Sequence, residues 1–266
     1  MDCRENWSWT DRSHAGVLKV VSWIAIAAIG AVVGFLGGLF GKGGSAIATP
    51  MLAAVGVPPI VAVASPLPAT IPATLAAYRQ YRRLGLADPE VIRWSVAWGI
   101  PATVVGALAT RWIDGAVLVR ATEVIVALLG ARILLRPHPV EIVRDVPRRR
   151  LRLIAVAITV GLLGGLLANA GGFLLVPLYL VVLRLPIKGA LAASLAVASV
   201  LAVPGTIVHA ALGHIDWAVT AVFAAASIPL STLGARTALR MHPARLERIY
   251  GAGLLMLGAG LLLLRP

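Results

Sequence analysis

Two short glycine-rich runs are the residues of this chain best suited to holding a ligand: Gly41-Lys42-Gly43-Gly44-Ser45 and Ala168-Asn169-Ala170-Gly171-Gly172. Each lies between a long apolar segment and a short one. Glycine permits an unwound turn and leaves backbone N–H groups uncovered. A helix that starts just after such a turn aims its free donors and positive dipole end at it. These are the ingredients of an anion site. Ser45 adds a hydroxyl, Lys42 a charge and Asn169 an amide; the competing role of Lys42 is to snorkel to a membrane rim. Ser65 and Ser194, about one turn into later apolar segments, can also donate to an oxyanion. The competing use of such a hydroxyl is a bond to a carbonyl one turn back. Thr70 and Thr74 face the same choice more weakly.

The elements that position these residues are membrane helices. Of 266 residues, 59% are hydrophobic and only 13% charged, with a mean hydropathy of +0.90. A soluble domain carries about 25% charged residues. Runs such as Val17–Phe40 and Leu153–Ala168 approach or exceed the roughly 18 apolar residues that indicate a membrane helix. The composition gives an all-α polytopic membrane protein. The net charge of +13 does not argue for nucleic acid, because the bases sit in short loops between apolar spans, where the positive-inside rule expects them. The run Pro147-Arg148-Arg149-Arg150-Leu151-Arg152 is the densest and faces anionic lipid in the cytoplasmic leaflet. The single cysteine, Cys3, excludes an intramolecular disulfide and a multi-thiolate metal site. Residues 1–16 form a polar tail of mixed charge with no basic leader region, so the first span is expected to stay as an anchor.

The chain repeats itself. GFLGGLFGKGGSAIATP (34–50) and GLLGGLLANAGGFLLVP (161–177) agree at 7 of 17 positions at an offset of 127. VPPIVAVASPL (57–67) resembles LPIKGALAASL (185–195), GLADPEV (85–91) resembles GHIDWAV (213–219), and GIPATVVGA (99–107) resembles SIPLSTLGA (227–235). The expected organisation is a first transmembrane repeat at 17–136, a basic cytoplasmic linker at 137–150 and a second repeat at 151–266. Such duplication is common in secondary transporters. Each repeat reads as about five segments: 17–40, 45–57, 59–78, 91–112 and 116–135, then 151–168, 172–183, 186–209, 217–238 and 245–264. With the N-terminus outside, five spans per repeat put 18 of the 24 Lys and Arg residues on the cytoplasmic side. This favours inverted repeats over the alternative, 4+4 parallel repeats with re-entrant segments.

The doubled glycine-rich motif followed by Pro50 or Pro177, with the Ala-Ser-Leu-type segments after it, resembles the TauE/SafE (TSUP) family of permeases, over about 17 to 264. The resemblance implies export or uptake of small sulfur-containing anions such as sulfite, thiosulfate and sulfonates. The chain departs from a cleaner G-x-G-G-G pattern in both runs. Any residue but proline still supplies an N–H there.

The expectation is therefore a secondary transporter in the cytoplasmic membrane, holding its anion between the two loops while one half rocks against the other. A passive anion channel and a non-transporting anchor or scaffold subunit are the alternatives. Pro50, Pro101, Pro177 and Pro229 fall within spans and are candidate hinges, against the plainer role of static kinks. Glu123 lies in an apolar stretch and is a candidate for proton coupling, against a plain pair with Arg120. His209, near the end of a span, reads as a capped interfacial residue, against a pH-sensing role for it and His214. Tyr78 and Tyr81, set among Arg79, Arg82 and Arg83, read as an interfacial anchor. Hydrolase, nucleotide-binding and metal-ligand motifs are absent, so neither an enzyme nor a cofactor nor a metal site is expected. The expected partners are a small inorganic or organosulfur anion, membrane lipid, a coupling proton or ion, and a second copy in a homodimer.

Overall fold

A computed structural model describes residues 15–41, 45–109, 128–135, 148–166 and 172–264. Among these the chain is helical, with no strand. The order is α1 (Ala15–Phe40), α2 (Ser45–Ala54), α3 (Pro59–Ala64), α4 (Pro66–Arg82) and α5 (Pro89–Ala109), then α6 (Arg149–Leu166), α7 (Gly172–Val181), α8 (Ile187–Ala211), α9 (Trp217–Arg240) and α10 (Pro243–Leu264). Residues 128–135 are also helical. Among the described residues, four stretches are long and apolar enough to cross a bilayer alone: Trp23–Phe40, Pro59–Arg82, Ile187–Ala211 and Trp217–Arg240. Helices α2 and α7 have 10 residues each, about 15 Å of rise, half of a hydrocarbon core.

The expected single segment at 59–78 is two helices. They meet at Ser65, whose backbone stays right-handed helical (φ −65°, ψ −30°). Pro66 and Pro68 cannot donate to the turn before them, which interrupts the ladder there without unwinding it. Asp88 and Asp216 start α5 and α9 as N-caps. The Asp88 carboxylate accepts from the N–H of Glu90 at 2.9 Å, and that of Asp216 from the N–H of Ala218 at 2.8 Å.

Helix α8 is the centre of the bundle. Residues 190–199 are buried on every face, as expected of a helix enclosed by others. Helix α4 packs antiparallel to it, with Leu67 near Gly205 at one end and Leu86, just beyond α4, near Gly189 at the other. Two tight seams flank this pair. In the first, α1 and α9 run side by side in the same direction, with Gly30, Gly34 and Gly38 against Phe223, Ser227 and Ser231. A methyl carbon on Gly34 would lie 2.4 Å from the Ser227 carbonyl oxygen, and one on Gly234 would lie 2.1 Å from that of Phe35. Only glycine lets the two backbones come so close, as small residues do in membrane helix pairs. In the second seam α5 and α6 also run in parallel. Gly161 faces the Gly99 carbonyl and Gly106 faces that of Leu162.

Helix directions follow from the contacts. The Thr220 hydroxyl donates to the Ser65 carbonyl and the Ser231 hydroxyl to the Ala73 carbonyl, both at 2.8 Å, so α4 runs with α9 and α1. All three head for the end rich in arginine. Helices α5 and α6 start at that end, where Arg149 bonds to Asp88 and, at 2.9 Å, to Glu90.

Candidate functional site

Helices α1, α4 and α9 do not close completely on one another. Between them lies a cleft lined by Val33, Gly34, Gly37 and Gly38 of α1, Thr70, Ala73 and Thr74 of α4, and Phe223, Ser227 and Ser231 of α9, with Leu195 of α8 behind. The glycine spacing that makes the α1–α9 seam also makes this cleft. Gly37, three residues on from Gly34 and so beside the seam on the same side of α1, lines the cleft too.

The cleft is polar by hydroxyls alone, with no charged residue among its lining. Those hydroxyls are already engaged. Thr70 donates to the Pro66 carbonyl at 2.9 Å and Thr74 to the Thr70 carbonyl at 2.8 Å. Ser231 divides its proton between the carbonyls of Ala73 and Ile228, both at 2.8 Å. Ser227 has only a long contact, 3.5 Å, to the Ala224 carbonyl. A hydroxyl has one proton to give, so the closed cleft shows mainly oxygen lone pairs. An anion therefore requires these side chains to turn. The cleft's volume is about 20 Å³, enough for one water molecule and too small for a polyatomic anion.

At the arginine-rich end the cleft runs toward Gly41. This residue closes α1 in the left-handed region (φ +65°), the usual glycine stop of a helix. It is buried, with Leu191 and Val176 around it. Helix α9 continues nine residues past Ser231, whereas α1 ends two past Gly38. Helix α1 therefore stops roughly 10 Å short of the end of α9. The Ser194 hydroxyl donates to the Gly41 carbonyl at 2.7 Å, which ties the end of α1 to the central helix. Ser65 is equally buried. Its hydroxyl accepts from the Asp216 N–H at 3.0 Å, tying the α3–α4 bend to the start of α9.

Of the residues singled out from sequence, Ser45 and Gly172 begin α2 and α7. Lys42, Gly43, Gly44, Asn169, Ala170, Gly171 and Glu123 lie outside the described residues. Pro50, Pro101, Pro177 and Pro229 are each inside a helix. Pro229 sits between the two cleft serines and has no N–H to give the carbonyl one turn earlier. His209 and His214 pair, Nδ1 to Nδ1 at 3.2 Å, at the end opposite the arginines. Ser227 and Ser231 escaped the sequence reading; their spacing of four, one turn before Gly234, was the available signal. Tyr81 departs from expectation. It is fully buried, not interfacial, because it falls on the same face of α4 as Thr70, Thr74 and Ala77.

Comparison with known proteins gives a consistent result. A family model described as "Sulfite exporter TauE/SafE" matches residues 26–261. A "Probable membrane transporter protein" of Xylella fastidiosa (strain 9a5c) is 28% identical over 245 residues, covering 88% of this chain and 92% of its own. A "Probable membrane transporter protein YunE" of Bacillus subtilis (strain 168) is 31% identical over 113 residues, covering 41% and 40%. No solved structure gives a significant match.

Proposed function

The chain belongs to the TauE/SafE family of membrane transporters, and from that premise we propose that it carries a small anion (sulfite, thiosulfate or a sulfonate) across the cytoplasmic membrane by alternating access. The observation that carries the proposal is the closed, hydroxyl-lined cleft between α1, α4 and α9. It is a polar interruption in an apolar bundle, and intramembrane polarity of this kind marks substrate pathways. In this reading the glycine runs at 41–45 and 168–172 supply amide donors to the anion. Ser194 holds the first of them in place through Gly41.

The two stretches 17–136 and 151–266 act as inverted repeats joined by the linker 137–150. Supporting this, positive φ recurs at an offset of 128 residues, at Gly56 and Arg184 and again at Gly85 and Gly213. The N-caps Asp88 and Asp216 keep the same offset. The contact of Gly34 with Ser227 has its counterpart in Gly161 with Gly99, and that of Gly234 with Phe35 in Gly106 with Leu162. Helix α1 and its counterpart α6 run in opposite directions, as inversion requires. The arginine-rich end is then cytoplasmic. The seams couple α1 to α9 and α5 to α6, so these pairs are the bodies that move, with Pro101 and Pro229 bending within them and Pro50 and Pro177 in the short helices.

The test is uptake of labelled sulfite, thiosulfate, taurine and sulfoacetate into proteoliposomes, each with and without a pH gradient. Saturable uptake with counterflow supports a carrier. Conductance far above carrier turnover would replace it with a channel, and absence of flux for every anion would leave an anchoring role.

A further inference from the structure

Among the described residues, two buried hydrogen-bond donors have nothing to donate to. The Tyr81 hydroxyl and the Trp94 indole N–H are both buried, and neither has a partner. Tyr81 has no exposed surface, and Trp94 packs against the same apolar cluster that contains Tyr81. Native structures leave very few buried polar atoms unsatisfied, so each such atom calls for a reason. An indole N–H can only donate. A phenol at neutral pH also has a proton to give. A ligand that satisfies such a donor is an acceptor, and an anion is the strongest kind.

The location fits a transit path. Tyr81 stands seven residues beyond Thr74, two turns along the same face of α4, roughly 10 Å further toward the arginine-rich end. Ala77, between them, is buried and small, so no large side chain of α4 divides the cleft from Tyr81. Leu191, which closes on Gly41, belongs to the same cluster as Tyr81. The cleft's Thr70, Thr74 and Ser231 have their protons committed to carbonyls, whereas the Tyr81 hydroxyl is uncommitted. Its neighbours Arg79, Arg82 and Arg83 bias the electrostatic potential at this end toward anions.

We propose that Tyr81 forms the cytoplasmic-side station of the anion pathway, its hydroxyl contacting the substrate as it passes between the cleft and the arginine-rich end. The ligand class is a small oxyanion. The proposal rests on the transport reading above and adds to it a residue that the glycine runs do not include.

A group kept unsatisfied for function should leave the resting fold when removed without loss of stability. The experiment therefore measures two quantities on the purified full chain: the unfolding temperature in detergent, and KM and maximal rate for labelled sulfite and thiosulfate in proteoliposomes. Tyr81→Phe is expected to unfold at the same or a higher temperature than the wild type. Its transport efficiency should fall about 10- to 100-fold, the range for losing one hydrogen bond to a charged group. Tyr179→Phe, which removes a hydroxyl bonded to Ser95 at 2.7 Å, serves as the contrast: lower stability with KM unchanged. A Tyr81→Phe protein with wild-type KM and rate would overturn the proposal while leaving transport intact. A marked drop in its unfolding temperature would overturn the premise that the hydroxyl is unpartnered. A wild type that moves neither anion would bring down the transport reading first, and this station with it.

Discussion

Replacing Gly38 by alanine adds one methyl group, and the structure says where it must go. The new carbon would lie 1.9 Å from the Ser231 carbonyl oxygen, 2.7 Å from its carbonyl carbon and 2.9 Å from the Ala235 nitrogen. All three are backbone atoms of α9, so no rotamer change can make room. Restoring an ordinary contact of 3.4 Å requires the helices to part by roughly 1.5 Å, and dispersion contacts along the seam lose a large part of their well depth over such a gap. Overpacking of this kind costs about 1–3 kcal/mol, occasionally more, and Gly38→Ala should lie at the top of that range. The same geometry ranks its neighbours. Gly34→Ala meets backbone at 2.4 Å and Gly30→Ala at 2.7 Å, so the damage should decrease in the order 38, 34, 30. Gly205→Ala meets only the tip of the Leu67 side chain, at 3.8 Å. It should be neutral or stabilising by up to about 1 kcal/mol, through helix propensity. Thermal unfolding of the purified variants in one detergent, followed by tryptophan fluorescence, reads the ranking directly. A Gly38→Ala protein as stable as the wild type, or a Gly205→Ala protein equally damaged, would refute the claim that backbone contact closes this seam.

Two further outcomes follow from particular bonds. Ser95→Ala strands the buried Tyr179 hydroxyl, at a cost of about 1–3 kcal/mol, whereas Tyr179→Phe removes the larger partner's hydroxyl and leaves Ser95 free to find a carbonyl, about 1 kcal/mol; urea or thermal unfolding should show the serine change to be the worse. The Arg149 pairing with Asp88 and Glu90, its side chains about a third exposed, should contribute no more than about 1 kcal/mol in a double-mutant cycle and weaken in high salt.

Much of this architecture can be read from the chain because membrane helices announce themselves by length and apolarity, and glycine and proline mark their ends. The spacing of Gly30, Gly34 and Gly38 foretells that some helix comes close to α1. It does not say which, and the answer, α9, lies 193 residues away in the sequence. The serines behave likewise. A serine in an apolar helix ordinarily bonds back to its own turn, and Ser227 and Ser231 do so. Nothing in that local habit reveals that Thr70 and Thr74 stand across from them. Tyr81 was misjudged for a different reason. Three arginines beside it suggested a lipid interface, yet those arginines leave α4 by other faces, while the 70, 74, 77, 81 periodicity follows the buried stripe.

The crossing of seams has a consequence for how the molecule is assembled. Helix α1, near the start of the chain, finds its tightest neighbour in α9, near the end, and α5 finds its own in α6 across the linker. Neither portion of the polypeptide is self-sufficient: cut within 137–150, each would expose a glycine face shaped for the other. The pieces should embrace only when made together, as interlaced hands do, and a ribosome that has released only the first portion has produced something that must wait for the rest.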